Sequence, residues 1–285
     1  MFGRPRNVYI LGAGPAALLA AHAVREVHPR AKVILFSMPD HALGRAKKSE
    51  LHGCQYLHQY IPDLGLPQEG ATVRYEVLGP YEGYREKVYG QNWTGNTSVD
   101  EYGPEQTHEA WDLRQAYEVL WATFEPFVFP TLVNSAVLRP LLDDRNGIVF
   151  STVPQRSLCI NPDHEFKTQD VWAMGSKVHL KVDPSHGAGP GFTPSGMPYR
   201  APDMTVQCNG NRDTAWYRAA TVFGHSTLEW PLAKKPPVPG VAAVKKPLST
   251  DCDCWPGMVR LGRYGTWKKG VLVHTAYNEV AEKLR

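Results

Sequence analysis

Apolar residues run without a break from Val8 to Leu11, and the stretch from Ala16 to Val27 is rich in Ala and Leu. The first predicts a buried strand. The second predicts a helix that His28-Pro29 stops. Lys32–Phe36 (KVILF) predicts a second buried strand, ended by Ser37 and Pro39. Strand, helix and strand over residues 8–36 make a βαβ unit, and the parallel pair it implies belongs to an α/β fold. Residues 71–93 alternate aromatic, charged and Gly positions (Tyr75, Val77, Tyr81, Tyr84, Val88, Tyr89), which predicts antiparallel strands. Trp111, Tyr117, Leu120, Trp121 and Phe124 predict a helix over 105–126, ended by Pro126 and Pro130. Val133–Leu142 predicts a shorter helix interrupted by Pro140, and Gly147–Val153 a strand that turns at Pro154. Residues 183–203 and 231–250 are dense in Gly or Pro and are predicted as loops long enough to act as flaps. A helix over Ala276–Leu284 ends the pattern, and no repeat of fixed period is present.

Composition narrows the classes. Hydrophobic residues make up 42% of the 285 positions, with eight Trp and thirteen Tyr, which supports a real core and excludes global disorder. The net charge of +3 is too even for a nucleic-acid clamp driven by bulk charge. The scattered pairs Lys47-Lys48, Lys234-Lys235, Lys245-Lys246 and Lys268-Lys269 leave local phosphate contact open. No apolar run reaches the roughly 18–20 residues of a membrane span. Arg4 and Arg6 before Val8–Val24 superficially resemble a signal peptide, but Gly12, Gly14 and Pro15 fit a strand–turn–helix better. Five cysteines, an odd number spread over a long chain, argue against a disulfide scaffold, so a cytoplasmic, reducing location is expected.

The strongest motif is Gly12-Ala13-Gly14-Pro15-Ala16-Ala17, a G-x-G-x-x-A between strand and helix. Gly12 permits the tight turn, Gly14 lets the backbone approach a pyrophosphate, and Ala17 allows close helix–strand packing. The helix N-terminus then presents N–H groups and a positive dipole end to phosphates. The usual ribose-binding acid after the second strand is replaced by Ser37, whose hydroxyl is assigned the same ribose. Gly187-Ala188-Gly189-Pro190-Gly191 looks similar but follows no apolar strand, so it is read as loop. One nucleotide site is expected, not two.

GAGPAALLAAHAV resembles the flavin-type fingerprint G-x-G-P-A-(G/A). Gly262-Arg263-Tyr264-Gly265-Thr266-Trp267 is similar to the G-R-x-G-x-(Y/W) motif of UDP-galactopyranose mutases and related flavoproteins. Ile148–Pro154 (IVFSTVP) resembles the strand-to-Pro turn near the adenosine half of amine-oxidase-like flavoproteins. A looser likeness, carried by Trp216-Tyr217-Arg218, Phe223-Gly224, Glu229-Trp230-Pro231 and Trp267–Gly270, is to phage-encoded FAD-dependent lyases of DNA hypermodification. These resemblances imply an α/β fold with a Rossmann-like FAD-binding domain and an inserted antiparallel-rich substrate region. Residues 1–75, 131–158 and 256–285 would form the FAD part, and 76–130 and 159–255 the substrate part. The implied FAD contacts are Gly12, Gly14, Pro15, Ala16, Ala17, Ser37, Thr152, Pro154, Gly262, Arg263, Tyr264 and Trp267.

No catalytic residue is assigned. Gln55, Tyr56 and His58 are candidates, because they follow the second strand as flavin-contacting loops do in the resembled families. Arg85, Arg114, Trp216, Tyr217 and Arg218 are candidate substrate contacts, since Arg forks onto carboxylate or phosphate beside stacking aromatics. An aromatic strand with a snorkelling Arg is the plainer reading of the last three. Cys159, His164, Cys252 and Cys254 are zinc-ligand types, but neither spacing is the usual C-x2-C, so no metal is assigned. Buried thiols or a redox-active C-x-C pair are the alternatives. The expected function is FAD-dependent oxidation of a C–N or C–H bond in a small-molecule or nucleotide-like substrate. A redox-neutral flavin mutase or lyase, an NAD-dependent dehydrogenase and a non-catalytic nucleotide- or nucleic-acid-binding module remain open.

Overall fold

Val8 and Ile10, both fully buried, place β1 (Asn7–Leu11) at the centre of a five-stranded parallel sheet. It lies between β2 (Lys32–Ser37) and β6 (Gly147–Ser151). β5 (Val128–Pro130) extends the sheet beyond β2, and β12 (Met258–Arg260) extends it beyond β6. The computed structural model describes residues 6–38, 61, 64–91, 106–174, 200–233 and 241–285. The candidates Gln55, Tyr56 and His58, and the Gly187–Gly191 segment, lie outside them.

The helix α1 (Pro15–Val27) packs on one face of this sheet. Its alanines at 17, 20, 21 and 23 are fully buried, because α3 (Leu113–Phe124) and α7 (Val273–Leu284) cover it in turn. Small side chains let three helices approach closely, which is why the helix is apolar nearly all round. On the opposite face, Leu138 of α4 (Ser135–Leu142) packs with Leu11, Val149 and Met258. A parallel sheet buried on both faces explains the unbroken apolar runs in β1 and β2.

The second sheet has seven strands in the order β11-β7-β10-β9-β8-β3-β4. These are β3 (Glu69–Leu78), β4 (Thr107–Asp112), β7 (Phe166–Met174), β8 (Thr205–Asn209), β9 (Arg218–Val222), β10 (His225–Pro231) and β11 (Ala242–Thr250). Every pairing is antiparallel except β3 with β8.

Three sequence expectations give way here. Residues 71–93 are not all strand: α2 (Tyr81–Tyr89) follows β3. Tyr81, Tyr84 and Val88 recur at three and four positions and pack on the second core, which a helix satisfies and a strand does not. Gly83 and Gly210 allow that helix to settle, since a Cβ on Gly83 would lie 2.0 Å from the Gly210 carbonyl oxygen. The helix expected over 105–126 starts only at Leu113, because residues 107–112 pair with β3 and the Asp112 side chain caps the helix by accepting from Arg114 N. The loop expected over 231–250 contains β11, paired with β7 along its length. Pro247 is tolerated because β11 is an edge strand and its register shifts between Pro247 and Ser249.

Candidate functional site

The parallel strands reverse their order around β1, with β2 and β5 on one side and β6 and β12 on the other. The crevice beyond their C-terminal ends is where such folds bind ligands. Three distant segments meet there. Gly12 turns the chain out of β1 at φ +113°, and a Cβ on it would lie 2.3 Å from Thr152 Oγ1. Thr152, leaving β6, donates its hydroxyl to Leu11 O at 3.0 Å and its N–H to the same carbonyl at 2.9 Å. Gly262, at φ +68°, lies against Ala16, whose methyl would be 3.1 Å from a Cβ on that glycine. Gly265 lies over the end of β6, where its Cβ would be 2.4 Å from Ser151 O. A Gly265→Ala substitution therefore pushes against backbone. It is expected to lose about 1–3 kcal/mol, read as a lower urea midpoint at unchanged m.

Gly14 differs from the others. Its φ is −76°, and a Cβ there would meet nothing within 4 Å. Neither strain nor packing requires glycine at this position. No side chain caps α1, and Pro15 occupies its first turn. Tyr117 braces the turn from below by donating its hydroxyl to Ala13 O at 3.2 Å. Ser37 is buried at the end of β2, where its carbonyl accepts from Thr131 N.

Residues 262–267 form a short helix, α6 (Gly262–Thr266), that ties this crevice to the second sheet. Arg263 Nη2 donates to Pro247 O at 3.2 Å, and Tyr264 donates its hydroxyl to Lys245 O at 3.2 Å. Trp267 Nε1 donates to Lys167 O at 3.1 Å, with its ring edge-on to Phe166. The backbone of this segment thus lies on the crevice, while these three side chains hold β7 and β11.

Beside it is a buried charge cluster. Glu229 accepts from Arg218 Nη2 at 2.8 Å, from Lys246 Nζ at 2.6 Å and from the Tyr217 hydroxyl at 2.5 Å. Burial alone would raise the Glu229 carboxyl, but the two cations more than offset it and hold it at about 2. Burial lowers the Lys246 ammonium to about 8, so it stays mostly charged at neutral pH. Trp216 is buried in a core cluster with Trp230. Arg114 pairs with Asp112 and reaches Phe223 O at 3.4 Å, while Arg85 lies on α2, away from the three converging segments in sequence. Glu229 and Lys246 were not singled out from sequence as site residues. The period of two on β11 was the available signal, because it sends Lys245 outward and Lys246 inward.

No protein-family model matches this chain, and no curated protein matches it. Solved structures do. Xcc4156, a flavin-dependent halogenase from Xanthomonas campestris, superposes with a TM-score of 0.52 at 10% identity, over 99% of this chain and 71% of that one. Reduced UDP-galactopyranose mutase gives 0.51 at 12% identity, over 98% and 93%. The tryptophan 5-halogenase MibH gives 0.51 at 15% identity, over 99% and 67%. The fold is that of flavin-dependent enzymes. The mixed architecture expected from the mutase-like motifs is therefore present: a Rossmann-type parallel sheet with a second, mostly antiparallel sheet.

Proposed function

We propose that this protein is an FAD-dependent enzyme whose substrate is held between the β1–β6 crevice and the second sheet. The observation that carries this reading is the convergence of Gly12–Ala17, Thr152–Pro154 and Gly262–Gly265 on one crevice. Two features of the chain fit the cofactor. The space at Gly14, in front of an uncapped helix N-terminus, suits a pyrophosphate. Arg263 Nε is buried without a hydrogen-bond partner among the described residues, and a ligand oxygen would satisfy it.

Gly12, Gly14, Ala16 and Ala17 would hold the pyrophosphate, Ser37 the adenosine ribose, and the 262–265 backbone the remainder of the cofactor. Bound flavin supplies hydride acceptance, and the reaction proposed is oxidation of a substrate C–N or C–H bond. The chain's own residues orient and exclude water. Arg218, Lys246 and Arg263 carry three positive charges against the single carboxylate of Glu229, an excess that favours an anionic group on the substrate. A carboxylate or phosphate on the substrate fits that excess.

A redox-neutral flavin reaction is the second reading. It draws on the mutase likeness, in which this chain covers 93% of the compared structure. Both readings begin with one test. The purified protein is expected to be yellow, with bands near about 370 and 450 nm that survive gel filtration and a released chromophore of the mass of FAD. A colourless protein that takes up no added FAD, and that NAD alone stabilises against heat, overturns the proposal. Among yellow preparations, loss of the 450 nm band on anaerobic addition of substrate favours oxidation. Sustained anaerobic turnover without an acceptor favours the redox-neutral reaction.

A further inference from the structure

We propose that Cys159, His164, Cys252 and Cys254 form a structural zinc site. The four ligand atoms lie within 4.8 Å of one another, although the two pairs are separated by most of the second sheet in sequence. A tetrahedral zinc, with Zn–S of about 2.3 Å and Zn–N of about 2.0–2.1 Å, places its sulfurs about 3.8 Å apart and sulfur from nitrogen about 3.6 Å. Cys159 Sγ is 4.0 Å from Cys254 Sγ, and His164 Nδ1 is 3.4 Å from Cys159 Sγ and 3.6 Å from Cys254 Sγ. These are three of the six edges of a zinc tetrahedron, and Cys252 Sγ lies within 4.8 Å of all three atoms.

The surroundings fit a metal as well. The other ring nitrogen of His164, Nε2, lies 3.5 Å from Asp253 Oδ1. A carboxylate on the far nitrogen orients a ligating imidazole and raises its basicity. The Cys159 thiol donates to Asn161 O at 3.1 Å, a proton that metal binding displaces. The loop carrying Cys252 and Cys254 is held independently of the thiols. Gln155 Nε2 and Arg260 Nη1 donate to Cys252 O at 2.6 and 2.9 Å, and Arg260 Nη2 donates to Cys254 O. On the other side, Thr250 donates its hydroxyl to Glu165 O at 2.6 Å. Four protein ligands leave no open position, so the site is structural rather than catalytic.

Its place in the fold gives it a task. Cys159 follows α5 (Gln155–Leu158), which continues from Thr152 and Pro154. Cys254 precedes β12, which leads into Gly262. The ion joins the two segments that close on the crevice.

The test is metal analysis of the full-length protein, purified without chelators or affinity metal. About one zinc per chain is expected, falling below about 0.1 in Cys159→Ser and Cys254→Ser and staying near one in Cys208→Ser. Cys208 is buried in the second-sheet core, away from this cluster. If the ligand variants fail to fold, cobalt replacement in the wild-type chain carries the test. Thiolate-ligated tetrahedral Co(II) absorbs at about 600–750 nm, and octahedral Co(II) only weakly. Three results overturn the proposal: a folded wild-type chain without zinc that also yields no such cobalt bands, zinc retained in the ligand variants, or a denatured chain showing three free thiols instead of the five in the sequence.

Discussion

Glu229→Leu is expected to destabilise the protein by about 3–5 kcal/mol, because it leaves two buried cations without their anion. The side chains of Arg218 and Lys246 are only 19% and 14% exposed, so water cannot take over the carboxylate's role. The Tyr217 hydroxyl also loses its acceptor, in a part of the core where Tyr217 is 1% exposed. Denaturant unfolding would read this as a lower midpoint at constant m. Replacing Glu229, Arg218 and Lys246 together by Leu and Met should recover much of the loss, since the penalty is that of an unpaired buried charge. A loss below about 1 kcal/mol for the single variant would show that the cluster is solvated and outside the core.

The same cluster sets an acid limit. The folded pKa of Glu229, about 2, is depressed below the value of about 4.3 expected of an unfolded chain. Its contribution is therefore fully present above about pH 4.3 and is lost as pH falls through that window towards 2. Wild-type stability should decline there, and the Glu229→Gln variant should decline less steeply.

Gly14→Asp is expected to fold as well as wild type and to bind FAD at least about 100-fold more weakly. The backbone at Gly14 is extended at φ −76°, ψ 178°, which any residue adopts, and its Cβ direction is open. An Asp at this N-cap position would accept from the first turn of α1 and add a few tenths of a kcal/mol to the unliganded protein. That carboxylate occupies the place proposed for the pyrophosphate and repels it. Thermal unfolding and a fluorescence titration of the flavin-free protein separate the two effects. An affinity within about threefold of wild type would place the nucleotide elsewhere. Gly12→Ala cannot make this distinction, because its φ of +113° and the Thr152 contact make it a folding variant as well.

The readable parts of this chain are those where local pattern and tertiary demand agree. Val8–Phe36 read correctly because a strand buried on both faces must be apolar and the turn after it must have glycine at Gly12. The Gly262 and Thr152 segments were legible by motif, although nothing local indicates that they meet. The second sheet was harder. Tyr81–Tyr89 carries aromatic residues that suit a strand, and the helical spacing of Tyr81, Tyr84 and Val88 takes effect only because the second core and the Gly210 turn receive that face. Pro247 argued against a strand, and only the position of β11 at the sheet edge admits it. The Cys159–His164 and Cys252–Cys254 pairs have uncommon spacings within each pair, and what brings them together is the pairing of β7 with β11. The buried charge of Lys246 was hidden in a doublet that reads as solvated.

The crevice draws on residues 12–17, 152–154 and 262–267, so it exists only when the last of these has been made. During synthesis, β1, α1 and β2 emerge early but lack β6 and β12 on one flank of β1 and α7 over α1. Parallel pairing across such distances closes slowly, since long loops must order before their contacts form. A ribosome-bound chain stopping before Met258 is therefore expected to leave apolar α1 exposed and to retain no flavin, which assigns the nascent chain to chaperones until β12, α6 and α7 have emerged.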